Sequence, residues 1–171
     1  MPCPGTSMRT NYPHHLPAFS YVGIYRYFLT FCTDQRAKRF TDSAVVELVT
    51  TQFVRAAGDE RFAIIAACVM SDHVHLLVEG QDDDADLKKF IARAKQFSGF
   101  EFAKRDEGRL WQRYGYEHVL RDEENTRGVA AYILENPVRA GLAETVEDYP
   151  HFFSSLHTRE ELIEFVYGRY G

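Results

Sequence analysis

Short apolar runs alternate along the chain with stretches whose apolar residues recur at helical spacing, and the order of the two patterns predicts an architecture. Tyr21 to Cys32 is rich in aromatic and β-branched residues and predicts a strand. Thr33 to Phe40 is a polar, basic connection. Thr41, Asp42 and Ser43 each offer an N-cap for a helix to about Ala57, with Val45, Leu48, Val49, Phe53 and Ala56 in register and Gly58 suited to the stop. Arg61 to Val69 predicts a second strand, apolar along most of its length. A short turn at Ser71-Asp72 leads to a third, His73 to Glu79. A helix from about Ala85 to Ala103 puts Leu87, Phe90, Ile91, Ala94 and Phe97 on one face and Lys88, Lys89, Arg93, Lys95 and Gln96 on the other. The acidic run Asp82-Asp83-Asp84 before it suits the helix dipole. A fourth strand is expected near Tyr116 to Leu120, then a helix capped by Asp122, running from Glu123 to Asn136 and closed by Pro137. The last helix carries the capping box Thr158-x-x-Glu161.

Strand, helix, strand, strand, helix, strand is the split βαβ, or ferredoxin-like, order. The expected fold is therefore α+β, an antiparallel sheet with helices on one face, plus additional C-terminal helices. One domain is expected over 1–171. It comprises a proline-rich arm at 1–19, a core over about 20–155 and a C-terminal helix at 156–171.

Composition changes this picture little. Apolar residues make up 45% and charged residues 26% of 171, which fits a soluble globular protein. The longest apolar run, Ala63 to Met70, is too short to span a bilayer, and no signal-peptide pattern is read at the N-terminus. Cys3, Cys32 and Cys68 form no C-x-x-C, so neither a zinc-thiolate site nor a disulfide framework is expected, and a reducing cytoplasm fits. The net charge of −5 counts against nucleic-acid binding. Basic residues nevertheless crowd 36–39, 88–95 and 104–113, which allows a local basic surface.

Four groups of residues could carry chemistry, one of them the basic face of the 85–103 helix with Arg36, Lys38 and Arg39, which by default reads as a solvated helix face. His73-Val74-His75 puts two imidazoles on one face of a strand, about 6.6 Å apart along the chain, where they could share a metal ion. The same spacing also describes two polar residues on a solvated face. Neutral imidazoles suit Mn²⁺, Fe²⁺ or Zn²⁺. Tyr132 and Asn136 lie one helical turn apart, so a phenol nucleophile and an amide ligand would be neighbours. Tyr132 equally fits an apolar stripe with Val129 and Ile133, and Asn136-Pro137 equally fits a helix end. The run Trp111 to His118 mixes aromatic and basic side chains, as single-strand binding needs, and His118 or Glu117 could reach a metal. A partly buried aromatic strand reads the same way. His14-His15 reads as exposed loop.

Together these segments resemble a known family. Met70-Ser71-Asp72-His73-Val74-His75-Leu76-Leu77-Val78 resembles the motif M-P-N-H-x-H-x-[LI]-[VL] of single-tyrosine HUH transposases, the IS200-like family. Tyr132-Ile133-Leu134-Glu135-Asn136-Pro137-Val138-Arg139-Ala140-Gly141-Leu142 resembles Y-I-x-x-N-P-V-[KR]-x-G-[LW] of its REP-associated branch, which acts on repetitive extragenic palindromes. Trp111-Gln112 and Tyr116 to Asp122 also match that branch, and the likeness covers about residues 20–155. Ser71-Asp72 departs from the usual Pro-Asn or Pro-Glu, which is expected only to alter the turn.

The resemblance implies metal ligands at His73 and His75, a catalytic Tyr132 and a third ligand at Asn136. It implies Mg²⁺ or Mn²⁺ as cofactor, and single-stranded or hairpin DNA with REP-like palindromes as partner. The reaction implied is cleavage and strand joining through a 5′-phosphotyrosine. Lys88, Arg93, Arg113 and Arg139 are candidate DNA contacts. A bacterial cytoplasmic location, at the nucleoid when on DNA, and a monomer or homodimer away from membranes are expected. A non-cleaving DNA-binding protein on the same fold, or a domesticated repeat-processing nuclease, are the alternatives.

Overall fold

The computed structural model describes residues 19–121 and 125–168. In chain order these form β1 (Arg26–Cys32), α1 (Ser43–Asp59), β2 (Phe62–Val69), β3 (His73–Gly80), α2 (Leu87–Ala103), β4 (Tyr116–Val119), α3 (Thr126–Arg139), β5 (Phe152–Phe153) and α4 (Arg159–Tyr167). The sheet order is β4-β1-β3-β2-β5, and every neighbouring pair is antiparallel. The first four strands are thus arranged as in a ferredoxin-like sheet, and the expected α+β class holds.

Local signals explain most element ends. The Asp42 carboxylate accepts the Ala44 N–H at the start of α1, and Asp86 accepts from Lys88 and Lys89 at the start of α2. Thr158 and Glu161 close the expected capping box of α4. The turn Ser71-Asp72 joins β2 to β3 tightly, with the Met70 N–H donating to the His73 carbonyl at 2.8 Å.

The helices α1 and α2 share one face as expected, and the additional C-terminal helices cover the other, which was not anticipated. Tyr27, Leu29 and Phe31 of β1 and Val74, Leu76 and Val78 of β3 point into a core shared with α1 and α2. Phe28, Leu77, Ile65 and Cys68 point the other way, into a second core with Ala130, Ile133 and Leu134 of α3 and Leu162 of α4. The sheet is therefore a central layer, and β2 is buried at every position. A register shift between Ile64 and Ala66 lets Ile65 and Ala66 both join the second core.

Other boundaries differ as well. β1 begins at Arg26, not Tyr21, because Gly23 turns the chain at φ +118°. A side chain at Gly80 could not coexist with this turn, since a Cβ there would lie 2.2 Å from the Gly23 carbonyl oxygen. α3 begins after Asn125, whose side chain accepts the Arg127 N–H, and it runs through Pro137 to Arg139. Pro137 was expected to end the helix. It removes one donor, yet its ring is buried and the helix continues. The two-residue β5 beside β2 was not anticipated. The Asp122 cap, His14-His15, Cys3 and residues 1–18 of the expected arm lie outside the described residues. Among the described residues no helix is long and apolar enough to cross a membrane.

Burial on both faces makes a testable prediction. Leu76 and Leu77 are adjacent, fully buried and on opposite faces. Leu76→Ala and Leu77→Ala should each cost about 3 kcal/mol in urea denaturation. A sheet covered on one face only would leave one of the two within about 0.5 kcal/mol of the wild type.

Candidate active site

The register between β1 and β3 builds the site. Cys32 stands opposite His73 and Thr30 opposite His75. Residues two apart share a face, so both imidazoles project to the α3 side with Phe28 and Leu77. The side chains of the strand are covered there: His73 is 8% exposed and His75 is 3% exposed. The rings meet edge to face with centroids 4.7 Å apart.

Each ring is held through Nδ1. His75 Nδ1 lies 2.8 Å from Thr30 Oγ1. His73 Nδ1 lies 2.7 Å from Asp72 Oδ1. An ionised carboxylate only accepts, so the His73 proton belongs on Nδ1, and in the neutral ring the lone pair is left on Nε2. Asp72 Oδ2 in turn takes the Arg36 Nε–H at 2.9 Å. Burial alone would raise the Asp72 carboxyl. The hydrogen bond with His73 and the Arg36 charge outweigh burial and hold it below the usual carboxylate range. For His75, burial comes first, then the neighbouring His73, with Arg139 and Arg36 adding. Together they push the imidazole down to about 3. Asp72 therefore does more than alter a turn, which is all its departure from the family motif implied.

α3 crosses above this face. The Tyr132 ring meets Phe28 edge-on at 6.2 Å, and Phe28 stacks on His75 at 5.4 Å. One phenylalanine thus touches both the phenol ring and the imidazole. The Arg139 guanidinium lies 4.2 Å over the Tyr132 ring and donates to the Tyr132 carbonyl. Tyr132 also borders a cleft of about 300 Å³ shared with Phe28, His118, Asn125, Gly128 and Val129. One turn on, the buried Asn136 Nδ2 has no hydrogen-bond partner among the described residues. Among the described residues no group of three or more His, Cys, Asp or Glu gathers.

The structure brings His73, His75, Tyr132 and Arg139 together, and leaves other candidates elsewhere. His118 pairs opposite Phe28 and shares the Tyr132 cleft, whereas Glu117 pairs opposite Leu29 and so faces the α1–α2 side, away from the imidazoles. Trp111 is a core residue whose Nε1 donates to Ser98 Oγ at 2.8 Å, so it is not a stacking platform. Lys88 lies over Tyr21 on the α1–α2 side, and Arg93 is held by Glu60 and Asp59. Arg113 is exposed and lies over Tyr114. Thr30, Asp72 and Phe28 were not singled out from the sequence, and Arg36 was read only as part of a basic surface, whereas it holds Asp72. Strand register alone reveals Thr30 and Phe28, whereas the position of Asp72 beside His73 was a signal.

A ferredoxin-like sheet carries two buried imidazoles beneath a tyrosine-bearing helix, and known proteins define the class. The model of the family described as Transposase IS200 like matches residues 22–136. A candidate REP-associated tyrosine transposase of Haemophilus influenzae is 30% identical over 143 residues, 77% of this chain and 79% of that protein. The REP-associated tyrosine transposase of Escherichia coli K12 is 32% identical over 121 residues, 65% of this chain and 68% of that protein. The solved structure of a REP-associated tyrosine transposase bound to a REP hairpin superposes with a TM-score of 0.68 at 22% identity, covering 78% of this chain and 79% of that one. At that identity the likeness is one of fold. The chain belongs to the IS200-like transposase family, among its REP-associated tyrosine transposases.

The depressed His75 predicts a pH dependence for the metal-free protein. The folded value of about 3 lies below the unfolded value of about 6.5, so the unfolded chain takes up the proton first. Stability is full above about pH 6.5 and falls as the pH drops toward 3. Between pH 6.5 and 5 the loss should reach about 2 kcal/mol. His151 is shifted the same way by burial and Arg159, so His75→Gln should flatten most of this slope and not all of it. Urea melts at pH 7, 6 and 5 check this. An unchanged slope in His75→Gln would contradict it.

Proposed function

We propose that this chain cuts and rejoins single-stranded DNA through Tyr132, at a divalent metal site built on His73 and His75. The observation that carries the reading is the pair of imidazoles, buried edge to face beneath α3 and linked to Tyr132 through Phe28. The donor chemistry fits a metal. Asp72 fixes the His73 tautomer so that Nε2 keeps its lone pair, burial keeps His75 unprotonated, and Asn136, one helical turn from Tyr132, would supply its amide oxygen as a third ligand. Two imidazoles and one amide oxygen accept Mn²⁺ or Mg²⁺. When bound, such an ion neutralises charge on the scissile phosphate.

The chain's own residues do the rest. The Tyr132 oxygen attacks phosphorus, a Tyr–O–P bond forms and the P–O bond to the 3′ oxygen breaks. The phenol gives up one proton and the departing 3′ oxygen takes one up, so the product is a 5′-phosphotyrosine and a free 3′-hydroxyl. Attack by another 3′-hydroxyl reverses the step and joins strands. Arg139 puts a positive charge beside Tyr132, where the phosphate would bind. Asp72 and Thr30 position the imidazoles. The substrate is taken to be a hairpin with an unpaired flank, as the REP hairpin bound by the related transposase indicates.

A labelled hairpin oligonucleotide incubated with Mn²⁺ should give a slow protein–DNA band on a denaturing gel. Tyr132→Phe should lower that band by about 10³-fold or more. Hairpins that bind yet never become joined to protein would make the chain a DNA-binding module instead. Asp72→Ala should weaken Mn²⁺ binding by about 10- to 100-fold in calorimetry, because the His73 tautomer loses its anchor. Unaltered Mn²⁺ affinity in this variant would remove Asp72 from the site.

A further inference from the structure

An acidic chain can hold a DNA strand only with cations that its own carboxylates have not claimed. Many are claimed. Arg26, Arg36, Arg61, Arg93, Lys104 and Arg105 each sit against an Asp or Glu. Lys95, Arg109 and Arg113 form no salt bridge among the described residues, and all three line one open groove of about 640 Å³. Gln96 and Gln112 add polar edges, and Gly99 and Gly108 leave the groove unfilled by side chains.

Lys95 is the telling member. It is half-buried on α2, with Nζ 3.2 Å from the Gln112 carbonyl oxygen and 5.0 Å over the Phe31 ring. Burial pushes its ammonium down to about 8, while Cys32 and Glu117 pull the other way without forming an ion pair. A desolvated ammonium with one carbonyl and one ring for company is incompletely satisfied, and it keeps donors for an anion. The groove wall is rigid, because Trp111 is locked into the core through Ser98. Trp111 lines the groove but is only 5% exposed, so it offers little face for base stacking, whereas the charges and amides suit a sugar–phosphate backbone.

The groove lies at the end of β1 near the imidazoles, and because Lys95 sits over Phe31 on the α1–α2 side, a bound strand must round that end of the sheet to reach the α3 face. The Gln112 N–H donates to the Cys32 carbonyl at 2.9 Å, and Cys32 stands opposite His73. Two strand spacings, roughly 10 Å, separate the groove's rim from the β3 backbone at His73. A stacked strand covers that distance in about three nucleotides.

We propose that the groove of Lys95, Arg109 and Arg113 holds the phosphodiester backbone of the DNA strand that enters the His73–His75 site. This rests on the proposed DNA substrate, and not on the tyrosine chemistry. The test is equilibrium binding of a fluorescent hairpin oligonucleotide with a single-stranded flank, followed by anisotropy across a salt series. Tyr132→Phe protein with Mn²⁺ is the background, so no covalent step contributes. Adding Lys95→Gln, Arg109→Gln and Arg113→Gln should weaken binding about tenfold or more at 0.1 M salt, and make the log–log salt slope shallower by about 2. The control triple Arg61→Gln, Lys104→Gln and Arg105→Gln removes the same charge from paired sites and should change affinity by less than about threefold. Should Lys95→Gln disturb α2, the exposed pair Arg109→Gln and Arg113→Gln alone should still flatten the slope by about 1.4. Wild-type slopes in both groove variants, or equal losses in the control, would overturn the groove while leaving the DNA reading intact. Absence of any DNA binding by the background protein at low salt would overturn both.

Discussion

Antiparallel pairing of β1 with β3 is the constraint on which the rest of the structure depends. It sets Thr30 beside His75 and brings Cys32 opposite His73, and it turns Phe28, His73, His75 and Leu77 to one side of the sheet. A slip of one residue would exchange the two faces and put both imidazoles among Val49, Phe53 and Phe90. The hydrophobic packing of both faces guards against that slip, because each face of β3 has its own apolar partners. α3 then becomes a lid with a function. It excludes water from the pair, and burial is the leading reason His75 stays unprotonated.

Electrostatics refine what packing begins. Asp72 sits between His73 and Arg36 and is ionised because of them, which fixes one tautomer of a ring that burial alone would leave undetermined. Arg139 belongs to the same arrangement from above, lying on Tyr132 and lowering His75 through its charge. It reaches that place because α3 continues past Pro137. The same pattern of pairing explains how a chain with net charge −5 can still present positive surface. Its carboxylates pair with many of the basic side chains, and among the described residues Lys95, Arg109 and Arg113 of one groove form no salt bridge.

Much of this was legible in the sequence, for identifiable reasons. Helical spacing and capping residues located α1 and α2 to within two residues and the start of α4 to within three, and the order of elements gave the ferredoxin-like sheet. H-x-H on a strand fixed that His73 and His75 share a face, whatever covers it. The cover itself was missed, although a strand as uniformly apolar as Phe62–Val69 is the mark of a sheet buried on both sides. Pro137 misled because a proline near a helix end usually stops it, and only tertiary burial shows otherwise. Thr30 and Phe28 carry no local signal, since their importance lies in register with residues 45 or more positions away. The aromatic run at Trp111 looked like a binding strip because burial is invisible in composition.

The central claim is that His73, His75 and the face of α3 bearing Tyr132 and Asn136 form one metal site within a single chain. Paramagnetic broadening by Mn²⁺ tests it most directly, in protein carrying isotope labels in His, Tyr and Asn side chains and kept dilute enough to be monomeric. The account predicts that substoichiometric Mn²⁺ broadens His73, His75, Tyr132 and Asn136 together, while His151 and His157 stay sharp. Broadening that spares Tyr132 and Asn136, or that falls on the other histidines first, would contradict it.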